Sequence, residues 1–559
     1  MNSSNTGKGW MLRPALFLLS SSTLIVIVGF PVLAILLFAI FPHINELSLA
    51  APLSALLPNL ANEKLIEATF NSLRLALSVT LVAAIIAVPL AYMRARFPDR
   101  LGKICDAMFL IPFLIPPYIG SLAWMQLLQR NGFVEQILGF NLNTFLYSFS
   151  GMVTVMALHL FPLIYFTTAS VFSVIGRKYG DVAKVFGGHT ITVFWQINFP
   201  MALPALLSSG LIVFILTIEE FGTPEILGAR FGFPVIVTSI HEKFSDWPID
   251  LPGASVLSLI LIIIAFVAYQ GHQRLSKRFQ TTIDNQSVEA KHPPLSPWAM
   301  VGVVVVFGGL FGIAVGLPLL TIAISSFMDT LSGGLAWDNL SLRTLRELFI
   351  LDGDGWAAIM TSLTLAAFAA IFTVMIATVV VFTVVRLRIK GTGFLDFLSI
   401  LPNSIPGMAV AVGLILTWNQ SFWVVTPYNT PFILLLAYLC LMLPYPIRMI
   451  STALKQLPQS LDDAAYISGA NDLTVILKIL VPLLWPISLA SGFIVFAIST
   501  RELVSSIMLA PPGVETVAVY VFHQFDQGSV NSGMAMSLVT IIISGGLLAL
   551  GQRLKGAMK

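Results

Sequence analysis

Of 559 residues, 57% are hydrophobic and only 10% are charged, whereas soluble domains carry about 25% charged residues. The net charge of +3 is too small to point to a nucleic-acid partner, so the placement of the basic residues matters more than their sum. Cys105 and Cys440 are the two cysteines, far apart and both in or beside apolar runs, which argues against a disulfide and excludes a cysteine metal motif.

Taken in order, the chain shows apolar runs near 15–41, 70–93, 104–127, 149–174, 202–222, 253–271, 298–326, 359–385, 393–418, 431–450, 483–505 and 533–552. Each is long enough to cross a hydrocarbon core about 30 Å thick, so an all-α polytopic membrane protein of twelve spans is predicted. The first run follows Lys8 and Arg13 and exceeds the apolar stretch of a cleaved signal peptide, so it reads as a retained anchor. Arg74 falls inside the second run and is expected to snorkel or to pair with a neighbouring helix. With the N-terminus inside, most Lys and Arg fall in inside segments, among them Arg94, Arg96, Arg100, Arg274, Lys277, Arg386 and Lys390. Lys64, Arg130, Arg230, Lys243, Arg343 and Arg346 fall outside. The positive-inside bias therefore predicts both termini in the cytoplasm.

The stretch 271–297 is polar, basic and contains Pro293-Pro294. It reads as a linker between a first half, 1–270, and a second half, 298–559. An even number of spans per half predicts parallel repeats. The halves also share residues at fixed offsets. Asp181, Ala183, Gly187, Ile197 and Pro200 recur 282 positions later as Asp463, Ala465, Gly469, Ile479 and Pro482. Pro162 with Pro444 and Gly210 with Gly492 keep that offset, while Pro112 with Pro402 and Pro116 with Pro406 lie 290 apart. Internal self-similarity of this kind marks a duplication.

Two polar cytoplasmic loops, about 177–200 and 459–482, carry the strongest of these matches. Each is predicted as a short helix, a glycine break at Gly187 or Gly469, and a second helix running into a proline at the membrane. Asn471, Asp472 or Thr190 can cap that second helix, and Asp181 and Asp463 suit the positive end of the first. The acidic-Ala-Ala start (Asp463, Ala464, Ala465), the glycine six residues after the acid and the proline at nineteen resemble the EAA motif of permease subunits in binding-protein-dependent ABC importers. That resemblance implies a coupling helix fitting a groove on an ATPase. Asp181, Ala183 and Gly187 would then serve one ATPase subunit, and Asp463, Ala464, Ala465 and Gly469 a second. Both copies have Asp where the family usually has Glu, and Val182 departs from the usual Ala, so the second loop is expected to grip its ATPase more tightly.

A single fused twelve-span chain is similar to the ferric iron uptake permeases in particular, with thiamine, phosphonate, sugar-phosphate and polyamine transporters nearby. A periplasmic binding protein would deliver the cargo, and the segment from Arg501 to Leu509 resembles one seen in iron(III)-type permeases. The sequence has no G-x-x-x-x-G-K-[ST], so ATP and its magnesium are expected on the partner ATPases and no cofactor, metal or catalytic residue on this chain. A major-facilitator transporter would also have twelve spans, and Asp99 to Lys103 resembles a loop of that family. Such a transporter has no use for two coupling-type loops.

Charges also occur where the fifth and eleventh spans end: Glu219 and Glu220, matched by Arg501 and Glu502. Charge inside a bilayer is costly and points to a protein-lined or wet path. These four residues are the candidate gate, with Glu219 or Glu220 expected to pair with Arg501. His241 and His523 match at the same offset and read as solvated loop residues.

Overall fold

The computed structural model describes residues 6–44, 48–175, 187, 189–282, 296–387 and 389–556. Among them are nine helices long and apolar enough to cross a membrane, and three bent helix pairs that raise the number to twelve if each pair is one span. No β-strand forms among the described residues; Met328 and Leu340 make an isolated bridge.

The bent pairs are the third, ninth and tenth spans. The third turns by 90° between 100–113 and 117–138, the ninth by 116° between 392–404 and 407–418, and the tenth by 42° between 431–442 and 444–456. Hydropathy reads each as one straight run. The breaks fall at Pro116, Pro406 and Pro444, where a missing amide and a ring clash interrupt the helical ladder.

Prolines elsewhere are absorbed without a break. The fifth and eleventh spans begin much earlier than the apolar runs suggest, at Ile191 and Asp472, and continue to Glu219 and Ser499. Pro200 and Pro482 therefore lie inside continuous helices. Each follows a five-residue π-turn, Phe194–Asn198 and Ile476–Leu480. The same arrangement precedes Pro31 (Ile25–Gly29) and Pro318 (Gly312–Gly316). A π-turn widens the helix where the proline cannot donate to the preceding turn, so the axis carries on.

The chain forms two compact units, and they cut across the sequence halves. One holds residues 60–242 and 263–341; the other holds 1–59, 243–262 and 342–559. The first span, Arg13–Ile40, thus belongs with the second-half helices, and the seventh, Pro297–Ser326, with the first-half helices.

In the unit containing the seventh span, buried Phe307 joins a ring cluster with Phe97, Phe109 and Tyr165, stacking on Phe109 at 5.4 Å. Arg94 pairs with Asp106 at 2.7 Å, and the Tyr165 hydroxyl donates to the same carboxylate at 2.8 Å. Arg74 lies over the Phe149 ring at 4.2 Å, a cation–π contact that shields its charge.

In the other unit, Leu16 and Leu24 of the first span are buried with Ala377, Val381, Leu443, Ile450 and Leu480. Gly413 lets this span approach closely, since a Cβ there would lie 2.5 Å from the Pro31 carbonyl oxygen. Small residues at such crossings are a general device of membrane helices.

The duplication extends to single hydrogen bonds. Ser72 Oγ accepts from the amide of Ile236 at 2.8 Å, and Ser362 Oγ accepts from that of Val517 at 2.7 Å. In each unit a serine of a long span holds the first turn of a short helix, Ile236–Ser245 or Val517–Asp526.

Candidate functional site: the second polar loop

Asp181 and Ala183 lie outside the described residues; of the first loop's candidates, Gly187 is described, with φ +83°. The second loop is described throughout. Helix Pro444–Gln456 ends at Leu457, and helix Ser460–Ile467 follows at once. Asp462 and Asp463 stand in its first turn, where carboxylates complement the helix dipole.

Gly469 closes this helix in the left-handed region, φ +85°. Its amide donates to Tyr466 O and that of Ala470 to Ala465 O, both at 3.0 Å. These two bonds define a Schellman motif, which needs a residue without a Cβ penalty at Gly469. Asn471 then caps the next helix by accepting from the Thr474 amide at 2.8 Å, and Asp472 opens it.

The short helix has two faces. Asp463, Ala464 and Ile467 are exposed on one, with Ile467 88% accessible. Spacings of three and four residues put them on a single stripe. Ala465 and Tyr466 turn the other way and pack, with Ala470, against the hydrophobic cluster that includes Leu16 and Leu454. Of the candidate docking residues, then, Asp463 and Ala464 face outward, Ala465 faces the body, and Gly469 shapes the chain.

Two acidic residues fasten the loop. Asp462 is buried and forms an ion pair with Arg386, Nε to Oδ2 2.9 Å, with side-chain exposures of 5% and 9%. Arg386 Nη2 also donates to the carbonyls of Leu454 and Leu457 at 3.2 and 3.0 Å, the end of the preceding helix, where a cation is favoured. Burial pushes the Asp462 carboxyl above the usual carboxylate range, while the Arg386 charge pulls it back. Beyond the glycine, Asp472 accepts from Arg13 Nε at 3.1 Å and from the Tyr466 hydroxyl at 2.7 Å. Burial, first, and the Asp472 contact raise the Tyr466 phenol.

Neither Asp462 nor Asp472 was marked as a structural anchor by the motif, which draws attention to Asp463. Helical spacing offers a clue, because 462, 465 and 466 share a face.

Among the four charged candidates, Glu219 ends the fifth span, while Glu220, Arg501 and Glu502 lie in the turns just past the fifth and eleventh spans; all four are half-buried. Glu219 and Glu220 belong to one compact unit, Arg501 and Glu502 to the other. Glu220 accepts from the Thr223 amide at 2.9 Å. Glu502 accepts from the Ser505 and Ser506 amides at 2.9 and 3.1 Å and from both hydroxyls at 2.6 and 2.9 Å. The Tyr438 hydroxyl in turn bonds Ser506 Oγ at 2.8 Å. His241 and His523 sit on short helices, with His241 against the Phe221 ring at 5.0 Å and His523 bonded to Glu515 at 2.8 Å.

A helical membrane body, a duplicated half and a helix-glycine-helix loop with one exposed face fit a membrane transport subunit. The chain matches the family described as binding-protein-dependent transport system inner membrane component twice, over residues 80–281 and 379–557. It belongs to that family, as a fused, multi-pass inner membrane permease. It is 26% identical over 483 residues to the ferric transport system permease protein FbpB of Actinobacillus pleuropneumoniae, covering 85% of this chain and 69% of that one. Identity to an Fe(3+)-transport system permease protein, FbpB 2, of Haemophilus influenzae is 22% over 538 residues, 95% of this chain and 97% of that one. A putative 2-aminoethylphosphonate transport system permease protein, PhnV, of Salmonella choleraesuis is 26% identical over 253 residues, 45% of this chain and 93% of its own length.

Proposed function

We propose that the chain forms the translocation path of an ATP-driven importer of ferric iron, with both termini in the cytoplasm. Two ATPase subunits dock on it, one at the loop of Asp181, Ala183 and Gly187 and one at the loop of Asp463, Ala464 and Gly469. They hold the ATP and magnesium; this chain contributes no catalytic residue and no cofactor site of its own. A periplasmic binding protein delivers the cargo to the opposite face. Glu219, Glu220, Arg501 and Glu502 gate the path at its outer end. Ligand-driven rocking of the halves requires that ATP and the loaded binding protein favour the outward-open state over the inward-open one.

The observation that carries this reading is the outward stripe of Asp463, Ala464 and Ile467 on a helix whose other face is packed and ion-paired. An exposed apolar residue on such a stripe suits a partner groove. Iron as cargo is supported by near-full-length similarity to ferric permeases. A phosphonate has the support of a relative matched over 45% of this chain.

The test is purification with the neighbouring ATPase, followed by uptake into proteoliposomes from binding protein loaded with ferric iron or with 2-aminoethylphosphonate. Retention of the ATPase by the wild type, its loss in Ile467→Glu, and ATP-dependent uptake of iron alone are expected. Uptake driven by a proton or sodium gradient without ATPase would overturn the proposal; uptake of the phosphonate would transfer it to that cargo. Arg501→Ala should raise ATP turnover in the absence of binding protein, and unchanged turnover would remove Arg501 from the gate.

A further inference from the structure

Arg13 stands at the cytoplasmic start of the first span, where the charge distribution alone accounts for a basic residue. Its guanidinium does something more specific. Nε and Nη2 face the two carboxylate oxygens of Asp472 at 3.1 and 3.4 Å, a fork-on-fork contact across 459 residues of sequence. Asp472 is 2% exposed and Arg13 48%, so the carboxylate is fixed and the cation reaches it from the rim. Tyr466 bonds the same carboxylate from within the short helix. Around the polar contact, Leu16 and Phe17 of the first span share a hydrophobic cluster with Ala465, Tyr466 and Ala470 of the loop. Gly391 leaves room for this: a Cβ there would stand 3.0 Å from the Phe17 ring.

The first loop is written differently. At the 282-residue offset, Thr190 stands where the second loop has Asp472, Lys184 where it has Tyr466, and Gly180 where it has Asp462. At these three positions the first loop's sequence carries no acid and no tyrosine.

We infer that Arg13 is a positioning residue for the second ATPase-docking helix: through Asp472 and Tyr466 it ties the first span to that loop, so that the two move as one piece. This rests on the docking role proposed above. A bidentate arginine–carboxylate contact fixes direction as well as distance, which a lysine cannot reproduce. The docking stripe of Asp463, Ala464 and Ile467 is thereby held at a set angle to a membrane span, and force applied to the stripe passes to that span.

The experiment uses the full chain with its ATPase in nanodiscs, comparing wild type with Arg13→Ala, Arg13→Lys and the exchange Arg13→Asp with Asp472→Arg. Hydrogen exchange is followed in peptides covering 459–472 and, as an internal control, 181–187. ATP hydrolysed per cargo molecule transported is measured alongside. Arg13→Ala is expected to speed exchange in 459–472 at least fivefold, leave 181–187 unchanged and raise ATP consumed per transport event about fivefold. Arg13→Lys should behave like Arg13→Ala, and the exchange should restore at least half of the wild-type coupling. Equal exchange rates and coupling ratios in wild type and Arg13→Ala would overturn the inference, as would equal acceleration in both loops. If the wild type itself retained no ATPase, the docking reading would fail; a wild type that retains it with an inert Arg13→Ala removes only the tie.

Discussion

Arg386 and Asp462 meet at 2.9 Å, 76 positions apart, where neither side chain is more than a tenth exposed. An ion pair so placed has lost most of its water, and removing one partner leaves the other charge stranded. Asp462→Asn keeps the shape and strands the Arg386 cation. A loss of about 3 kcal/mol is expected, read as a lower thermal midpoint of the detergent-solubilised protein. The double change Arg386→Met with Asp462→Leu should recover most of it, because an apolar pair carries no desolvation cost.

Gly469 has open space around the position a Cβ would take, so its constraint is conformational. At φ +85° a substituted alanine costs about 1–2 kcal/mol and valine more, whereas asparagine is tolerated. Retention of the ATPase should fall in the order Gly, Asn, Ala, Val. A sequence in which valine matches glycine would show that the Schellman turn does not set the docking geometry.

Glu502 gathers four donors from Ser505 and Ser506. Glu502→Ala leaves them without that acceptor, at about 1–3 kcal/mol for a buried donor. Glu502→Gln keeps an oxygen and should recover part of the loss. Glu220→Ala, which removes an acceptor from the Thr223 amide, is expected to be milder. Thermal unfolding of the three variants side by side checks the order.

Gly413→Ala drives a methyl into the Pro31 carbonyl. Backbone cannot step aside as a flexible side chain can, so overpacking of about 2 kcal/mol is expected. The first span should also become accessible to a protease or a thiol probe placed at its ends, and unchanged accessibility would count against the contact.

Much of this was legible beforehand. Apolar runs find membrane spans because hydrocarbon tolerates little else, and the constant offsets of Asp181 with Asp463 and Gly187 with Gly469 gave away the duplication. The continuation of the fifth and eleventh helices past Pro200 and Pro482 was not visible, since a proline at the border of an apolar run reads as the start of a helix, and the π-turns that carry these helices through have no composition. The motif marks Asp463 and not its neighbour Asp462, because a motif records position and not which face a residue takes. Arg386 and Arg13 looked like bulk cytoplasmic charge; their partners are distant in sequence, and hydropathy says nothing about neighbours. Glu220 and Glu502 stand out by their rarity in apolar surroundings, but charge alone does not reveal that they hold the amides of Thr223 and Ser505.

The exchange of the first and seventh spans between the compact units has a consequence for how the protein is made. The first span enters the bilayer long before the helices it packs on exist. About 300 residues separate it from the eighth span, which at about 5–20 residues per second is roughly 15–60 s of synthesis. During that interval Gly413 has not been translated and the apolar flank around Leu24 faces lipid. A ribosome stalled within the second half would therefore leave an orphaned helix, a natural substrate for membrane quality control. Completion of the chain, and not insertion of its first span, is the event that commits the molecule to its fold.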